Sequence, residues 1–124
     1  MYQLILVMAG GALGSGARFL VGRATLAGLG PNFPYGTLTV NLVGGFAMGL
    51  LVGILARTAA AEDWRLLLGV GVLGGFTTFS AFSLDVVTLI ERGDLTTALG
   101  YTLVSVIGAI AAVFLGLSLT RVAA

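Results

Sequence analysis

Residues 74–83 read Gly74-Gly75-Phe76-Thr77-Thr78-Phe79-Ser80-Ala81-Phe82-Ser83. They lie inside residues 66–84, a run of 19 positions with no charge, close to the roughly 20 apolar residues that a bilayer-spanning helix needs. Two glycines followed by two β-branched threonines are poor helix formers, and here they fall near the middle of the span. Inside lipid, a break is tolerated only where its freed carbonyls meet protein, water or an ion. The stretch therefore predicts a third helix broken near its middle, at Gly74 and Gly75. Discontinuous membrane helices hold Na⁺ with such carbonyls. The alternative is an ordinary helix whose Thr and Ser hydroxyls bond back to their own turn.

Moving outward, the charges divide the chain almost unaided. Residues 1–17, 24–56 and 95–120 also carry none. The second of these runs is too long for one helix, and it contains Gly28-Leu29-Gly30-Pro31-Asn32-Phe33-Pro34-Tyr35-Gly36, whose prolines and glycines mark a loop. The reading is a single all-α membrane domain over 1–124, with helices at about 3–23, 36–56, 65–91 and 95–120. Composition agrees: of 124 residues, 58% are hydrophobic and 9% charged, against roughly 25% charged in soluble domains. The first helix has the small residues of a signal peptide but lacks a basic leading region. Tyr35 and Trp64 fall at helix ends, where interfacial aromatics belong. Glu62 and Asp63 suit the first turn of the third helix, and Gly93 and Asp94 suit a helix stop followed by a cap.

All six basic residues are Arg, the net charge is +1, and Cys and His are absent. Without a basic patch, nucleic acid is not expected as a partner. Without Cys or His there is no thiol or imidazole chemistry, and no nucleophile–base set or cofactor motif points to an enzyme. With four spans, Arg57, Arg65 and Arg121 fall on one side and Arg18, Arg23 and Arg92 on the other, three against three. The positive-inside rule then selects no orientation. Either the balance is accidental, or the chain inserts both ways and assembles as an antiparallel dimer.

Small residues at spacing four (Gly10/Gly14, Gly45/Gly49/Gly53, Gly71/Gly75, Ala112/Gly116) predict close-packed helix faces. Phe79 and Phe82 share a helix face; they are either packing or, through their positive ring edges, contacts for a dehydrated anion. Asn41, with Thr37 one turn earlier, bonds another helix or donates N–H to an anion. Tyr101 and Ser105 form a hydroxyl stripe on the fourth helix, continued by Ala109 and Ala112. That stripe lines a polar path or glues helices together. Leu103, Ile107, Ile110 and Phe114 form a lipid-facing stripe. Arg18, near the end of the first helix, can snorkel. Asp85 is a functional candidate by its place in the membrane, or the partner of an Arg.

These segments carry a pattern. Gly10-Gly11-Ala12-Leu13-Gly14-Ser15-Gly16-Ala17-Arg18, Gly36-Thr37-Leu38-Thr39-Val40-Asn41-Leu42-Val43-Gly44, residues 74–83, and Tyr101 with Ser105 together resemble the Fluc (CrcB-type) fluoride channel family over essentially the whole chain. The resemblance implies a dual-topology, antiparallel homodimer in the prokaryotic inner membrane with two fluoride pores. Asn41 would be the pore amide, and Phe79 and Phe82 the aromatics that meet fluoride by their edges. Ser80, Ser83 and Ser105 would belong to a polar track, with Thr37, Thr78 and Tyr101 along the same path and Arg18 at a vestibule. The backbone carbonyls of Gly74 and Thr77 would hold a structural Na⁺ at the dimer interface. Asp85 replaces the family's frequent Glu, and Ala109 replaces a hydroxyl, leaving the track one donor short.

The function expected is passive, fluoride-selective export. The competing readings are a small multidrug-type, proton-coupled four-helix transporter, with Asp85 as its only central acid, and a membrane scaffold without ion flux.

Overall fold

The computed structural model describes residues 1–59 and 61–122. Helix α1 runs Tyr2–Leu29 and α2 runs Tyr35–Leu55. The third span divides in two. Its first half, α3, covers 61–76: an α-helical turn Ala61–Trp64, a wider stretch Arg65–Leu73, and a return to α geometry at Gly74–Phe76. Its second half, α4, is Ser80–Glu91, and α5 is Leu95–Val122. Four helical spans are long and apolar enough to cross a bilayer, and no strand occurs among the described residues.

Three boundaries correct the sequence reading. Helix α1 continues six residues past 23, because nothing before Gly30 disrupts it; Gly30 ends it with a positive φ of 81°. The third span begins at Ala61, before the charged turn Glu62-Asp63-Trp64-Arg65, where Glu62 and Arg65 pair at 2.8 Å. The break does not fall at the glycines. Gly74 is helical, at φ −62° and ψ −39°, and the chain becomes extended only at Thr77, with ψ 158°. Lacking a Cβ, Gly74 and Gly75 have freedom they do not use here; the threonines and phenylalanine that follow leave the helix instead.

What Gly75 does use is its lack of a side chain. A Cβ there would stand 2.6 Å from the Gly11 carbonyl oxygen, and one on Gly71 would stand 3.0 Å from the Gly10 Cα. On the other strand of this seam, a Cβ on Gly14 would overlap the Val72 carbonyl. α1 and α3 thus touch backbone to backbone. A second seam joins α2 to α5, where Gly49 meets Val113 and Gly116 meets Phe46 and Leu50. Since lipid is as apolar as leucine, such close approach supplies the dispersion energy that holds membrane helices together.

In the wide stretch, the Gly74 N–H reaches back five residues to the Gly69 carbonyl, the π-type spacing found mostly at functional or strained places. It lets Gly69 pack toward Leu51 and Met48 of α2 while Gly71 packs on α1. The turn between the last two spans follows the expected pattern. Gly93 takes φ 81°, and Asp94 accepts the Thr97 N–H at 3.2 Å. The predicted lipid stripe of α5 faces outward, with Leu103, Ile107, Ile110 and Phe114 each more than half exposed.

Gly14→Ala is expected to destabilise the fold by about 1–3 kcal/mol through overpacking. Gly16→Ala, with nothing within 4 Å of the added methyl, should stay within about 0.5 kcal/mol of wild type. Equilibrium unfolding of the detergent-solubilised protein compares the two.

Candidate functional site

The site grows out of the break. In a continuous helix, the Thr78 N–H would bond the Gly74 carbonyl. Here it donates instead to Asn41 Oδ1 at 2.9 Å, while Asn41 Nδ2 donates back to the Thr78 carbonyl at 2.9 Å. One amide side chain on α2 therefore satisfies both backbone groups of a residue that has left the helix. Thr78 also starts the next helix: its Oγ1 accepts the Ala81 N–H at 3.2 Å, the cap expected of a Thr at a helix start. Thr77 closes the previous helix, its N–H and its hydroxyl both donating to the Leu73 carbonyl at 3.0 and 2.9 Å.

Arg18 corrects another expectation. With α1 extended to Leu29, Arg18 sits about 16 Å from the helix end at 1.5 Å per residue rather than beside it. It is half-buried, and its Nε donates to the Gly75 carbonyl at 3.1 Å. Among the described residues, no donor reaches the carbonyls of Gly74 or Thr77. Those two oxygens are the candidates for holding a hard cation such as Na⁺, and unpaired backbone carbonyls of an unwound helix fit one.

The break opens onto a groove of about 580 Å³ between α2, the break and α5. Asn41, Thr78, Phe79, Phe82 and Ser105 line it, together with Gly74 and Thr77. The two rings stand 5.4 Å apart, but in unlike surroundings: Phe82 is 7% exposed and Phe79 75%. The Ser105 hydroxyl is buried with no hydrogen-bond partner, an arrangement that costs free energy unless something else meets it.

Behind Phe82 lies Tyr101, 1% exposed, with their rings 5.3 Å apart. Its hydroxyl donates to Asp85 Oδ2 at 3.0 Å. The partner of Asp85 is thus a tyrosine; the only ion pair among the described residues is Glu62–Arg65. Thr37 and Asp85 line a smaller cavity of about 300 Å³ toward Arg92, and Thr37 also lines one of about 470 Å³ beside Arg18 and Thr78. Ser80 and Ser83 are exposed. The Ser83 hydroxyl turns back to the Phe79 carbonyl at 2.9 Å, and the Ser80 hydroxyl lies 3.4 Å from Thr78 Oγ1.

Sequence reasoning missed Phe33. Read only as part of a loop, it packs its ring edge-on against Tyr101 at 5.4 Å and against Tyr35 at 4.9 Å. An aromatic between two prolines was the available signal: a chain stiffened on both sides holds a ring in place.

Fold and site define an integral, multi-pass membrane protein built around a discontinuous helix. The family described as CrcB-like protein, Camphor Resistance (CrcB), matches residues 5–117. The chain belongs to that family. Among its relatives is a protein of Mesorhizobium japonicum, 54% identical over 121 residues that cover 98% of each chain. One from Phenylobacterium zucineum is 57% identical over 123 residues, covering 98% of this chain and 97% of the relative. One from Chelativorans sp. is 57% identical over 122 residues, 98% of each. All three are named "Fluoride-specific ion channel FluC".

Asn41→Ala removes both partners of Thr78, at about 1–3 kcal/mol for each stranded group. A total loss of about 2–6 kcal/mol is expected in equilibrium unfolding. A change below about 0.5 kcal/mol, the range of neutral surface substitutions, would mean that the break holds itself without the amide.

Proposed function

We propose that this protein is a fluoride-selective ion channel, not an enzyme, that lets fluoride leave the cell passively. The observation that carries the reading is the shared name of relatives matched over nearly the whole length of both chains. The groove supports it physically. Fluoride is small and strongly hydrated, so a selective pore replaces its water with several weak donors and still releases it. The unpartnered Ser105 hydroxyl, the second N–H of Asn41, and the ring edges of Phe79 and Phe82 are donors of that kind on the groove wall. Thr37, Thr78 and Ser80 would add hydroxyls along the path, while the Ser83 and Tyr101 protons already go to the Phe79 carbonyl and Asp85. Ala109 leaves the wall near Ser105 one hydroxyl poorer. Neutral HF crosses a bilayer and dissociates inside; an inside-negative potential then favours the exit of fluoride by about 2.3 kcal/mol per 100 mV.

The working unit in this reading is an antiparallel, dual-topology homodimer in a prokaryotic inner membrane. The balanced arginines and the exposure of Phe79 on the open side of the groove support it. The carbonyls of Gly74 and Thr77, with those of the second copy, would hold a structural Na⁺ that adds a positive field favourable to anions. Arg18, bonded to the break from the α1 side, would stand beside this path. None of the relatives named above is a small multidrug-type transporter, and the one central acid such a transporter would use, Asp85, already accepts a bond from Tyr101.

Liposomes carrying the protein are expected to release fluoride with little chloride; no fluoride efflux, or equal chloride efflux, rejects the proposal. Phe82→Ile should lower fluoride efflux about tenfold, the rate equivalent of about 1.4 kcal/mol of lost contact, with the dimer intact on size-exclusion chromatography. A cysteine tag at one terminus should be labelled from both faces of the membrane, and labelling from one face alone rejects dual topology.

A further inference from the structure

We infer that Arg18 is a positioning residue for the break in the third span, acting through the Gly75 carbonyl. Its role is therefore not that of a charge at the mouth of a pore. Four observations lead there. Arg18 stands near the middle of α1, eleven residues before its last residue, Leu29. Its guanidinium is half-buried, and its one hydrogen bond among the described residues goes to Gly75 O at 3.1 Å. That carbonyl has no backbone donor, because the N–H groups that would meet it in an uninterrupted helix belong to residues that have left it. Arg23, five residues on, lies instead over the Phe19 ring, 5.9 Å from its centroid.

The break is thus gripped from two sides. Asn41 of α2 holds Thr78, and Arg18 of α1 holds Gly75, three residues earlier. Gly75 lies in the last helical turn before the extended residue Thr77, and neighbouring peptide planes are coupled through the intervening dihedrals. Fixing the Gly75 carbonyl toward α1 restricts its neighbours, including the Gly74 and Thr77 carbonyls and the approach of Phe79 to the groove. A hydrogen bond from a charged donor is the stronger kind, and in a bilayer interior the carbonyl has no water to replace it. Arg18 also lines the cavity it shares with Thr37 and Thr78, so the grip and the polar path share one wall.

The inference bears on the fluoride reading, but its first test does not depend on flux. Hydrogen exchange of residues 74–83, followed by mass spectrometry on the membrane-reconstituted protein, reads local opening of the break. Arg18→Gln should speed exchange of that segment about tenfold, the size expected from losing a charge-assisted bond. Arg23→Gln, which removes the same charge, should leave it at the wild-type rate. Arg18→Lys keeps a charge and a donor but not the planar fork, and guards against an unfolded Gln variant; its segment should exchange about threefold faster. Wild-type exchange in both Arg18 variants, or equal acceleration by Arg23→Gln, overturns the inference.

Fluoride efflux supplies the second arm. A charge at a mouth acts on approaching anions and is screened by salt, whereas a grip on a carbonyl is not. The efflux deficit of Arg18→Gln should therefore persist at low and high concentrations of an impermeant salt. A deficit that disappears at high salt assigns Arg18 to the mouth. If the wild type carries no fluoride but the exchange result holds, the channel reading fails and the positioning role stands.

Discussion

Inside a bilayer, a main chain that leaves helical geometry exposes donors and acceptors that no water can meet. Here the exposure centres on Thr78, and the Asn41 side chain meets it with one donor and one acceptor at 2.9 Å each. An amide is the side chain suited to this, since it carries both functions a few ångströms apart in one plane. With Thr78 held, its hydroxyl starts α4, which places Phe82 against Tyr101 and brings the Tyr101 hydroxyl to Asp85. The aromatic cluster, the groove and the orientation of the second half-helix all depend on that pair of bonds.

The break in turn depends on the seams around it. α3 reaches α1 closely enough for Gly71 and Gly75 to meet the backbone of Gly10 and Gly11, and this proximity brings Arg18 within reach of a carbonyl. The wide turns from Arg65 to Leu73 serve the same end, turning Gly69 toward α2 and Gly71 toward α1. Packing and polar satisfaction are therefore one arrangement: without the glycines the helices would stand too far apart for Asn41 and Arg18 to reach the break.

Much of this was legible in the sequence, for reasons of scale. Four spans follow from runs of uncharged residues, and the glycine seams follow from spacing, because both signals are repeated many times. The discontinuity in the third span was legible as well, but its position was not. Low helix propensity is as strong at Gly74-Gly75 as at Thr77-Thr78, and it is Gly75, still helical, that fits closely against Gly11. The place of Arg18 near the middle of α1 was not legible because α1 extends past the first loop glycine, and the partner of Asp85, read as an Arg in one of two alternatives, is a tyrosine, whose lack of charge leaves no trace in a count of charges. The relation of Asn41 to Thr78 spans 37 residues, and no local pattern encodes it.

Among the described residues, the arginines tie the chain together through carbonyls rather than through long-range salt bridges. Arg18 donates to the Gly75 carbonyl, Arg57 to that of Thr120 and Arg92 to that of Asn32, each joining distant parts of the chain. The single ion pair among the described residues, Glu62–Arg65, stays within one helical turn and is exposed. Carbonyl oxygens do not titrate, and a guanidinium keeps its proton at any ordinary pH. The long-range arginine ties therefore hold in acid as in neutral water.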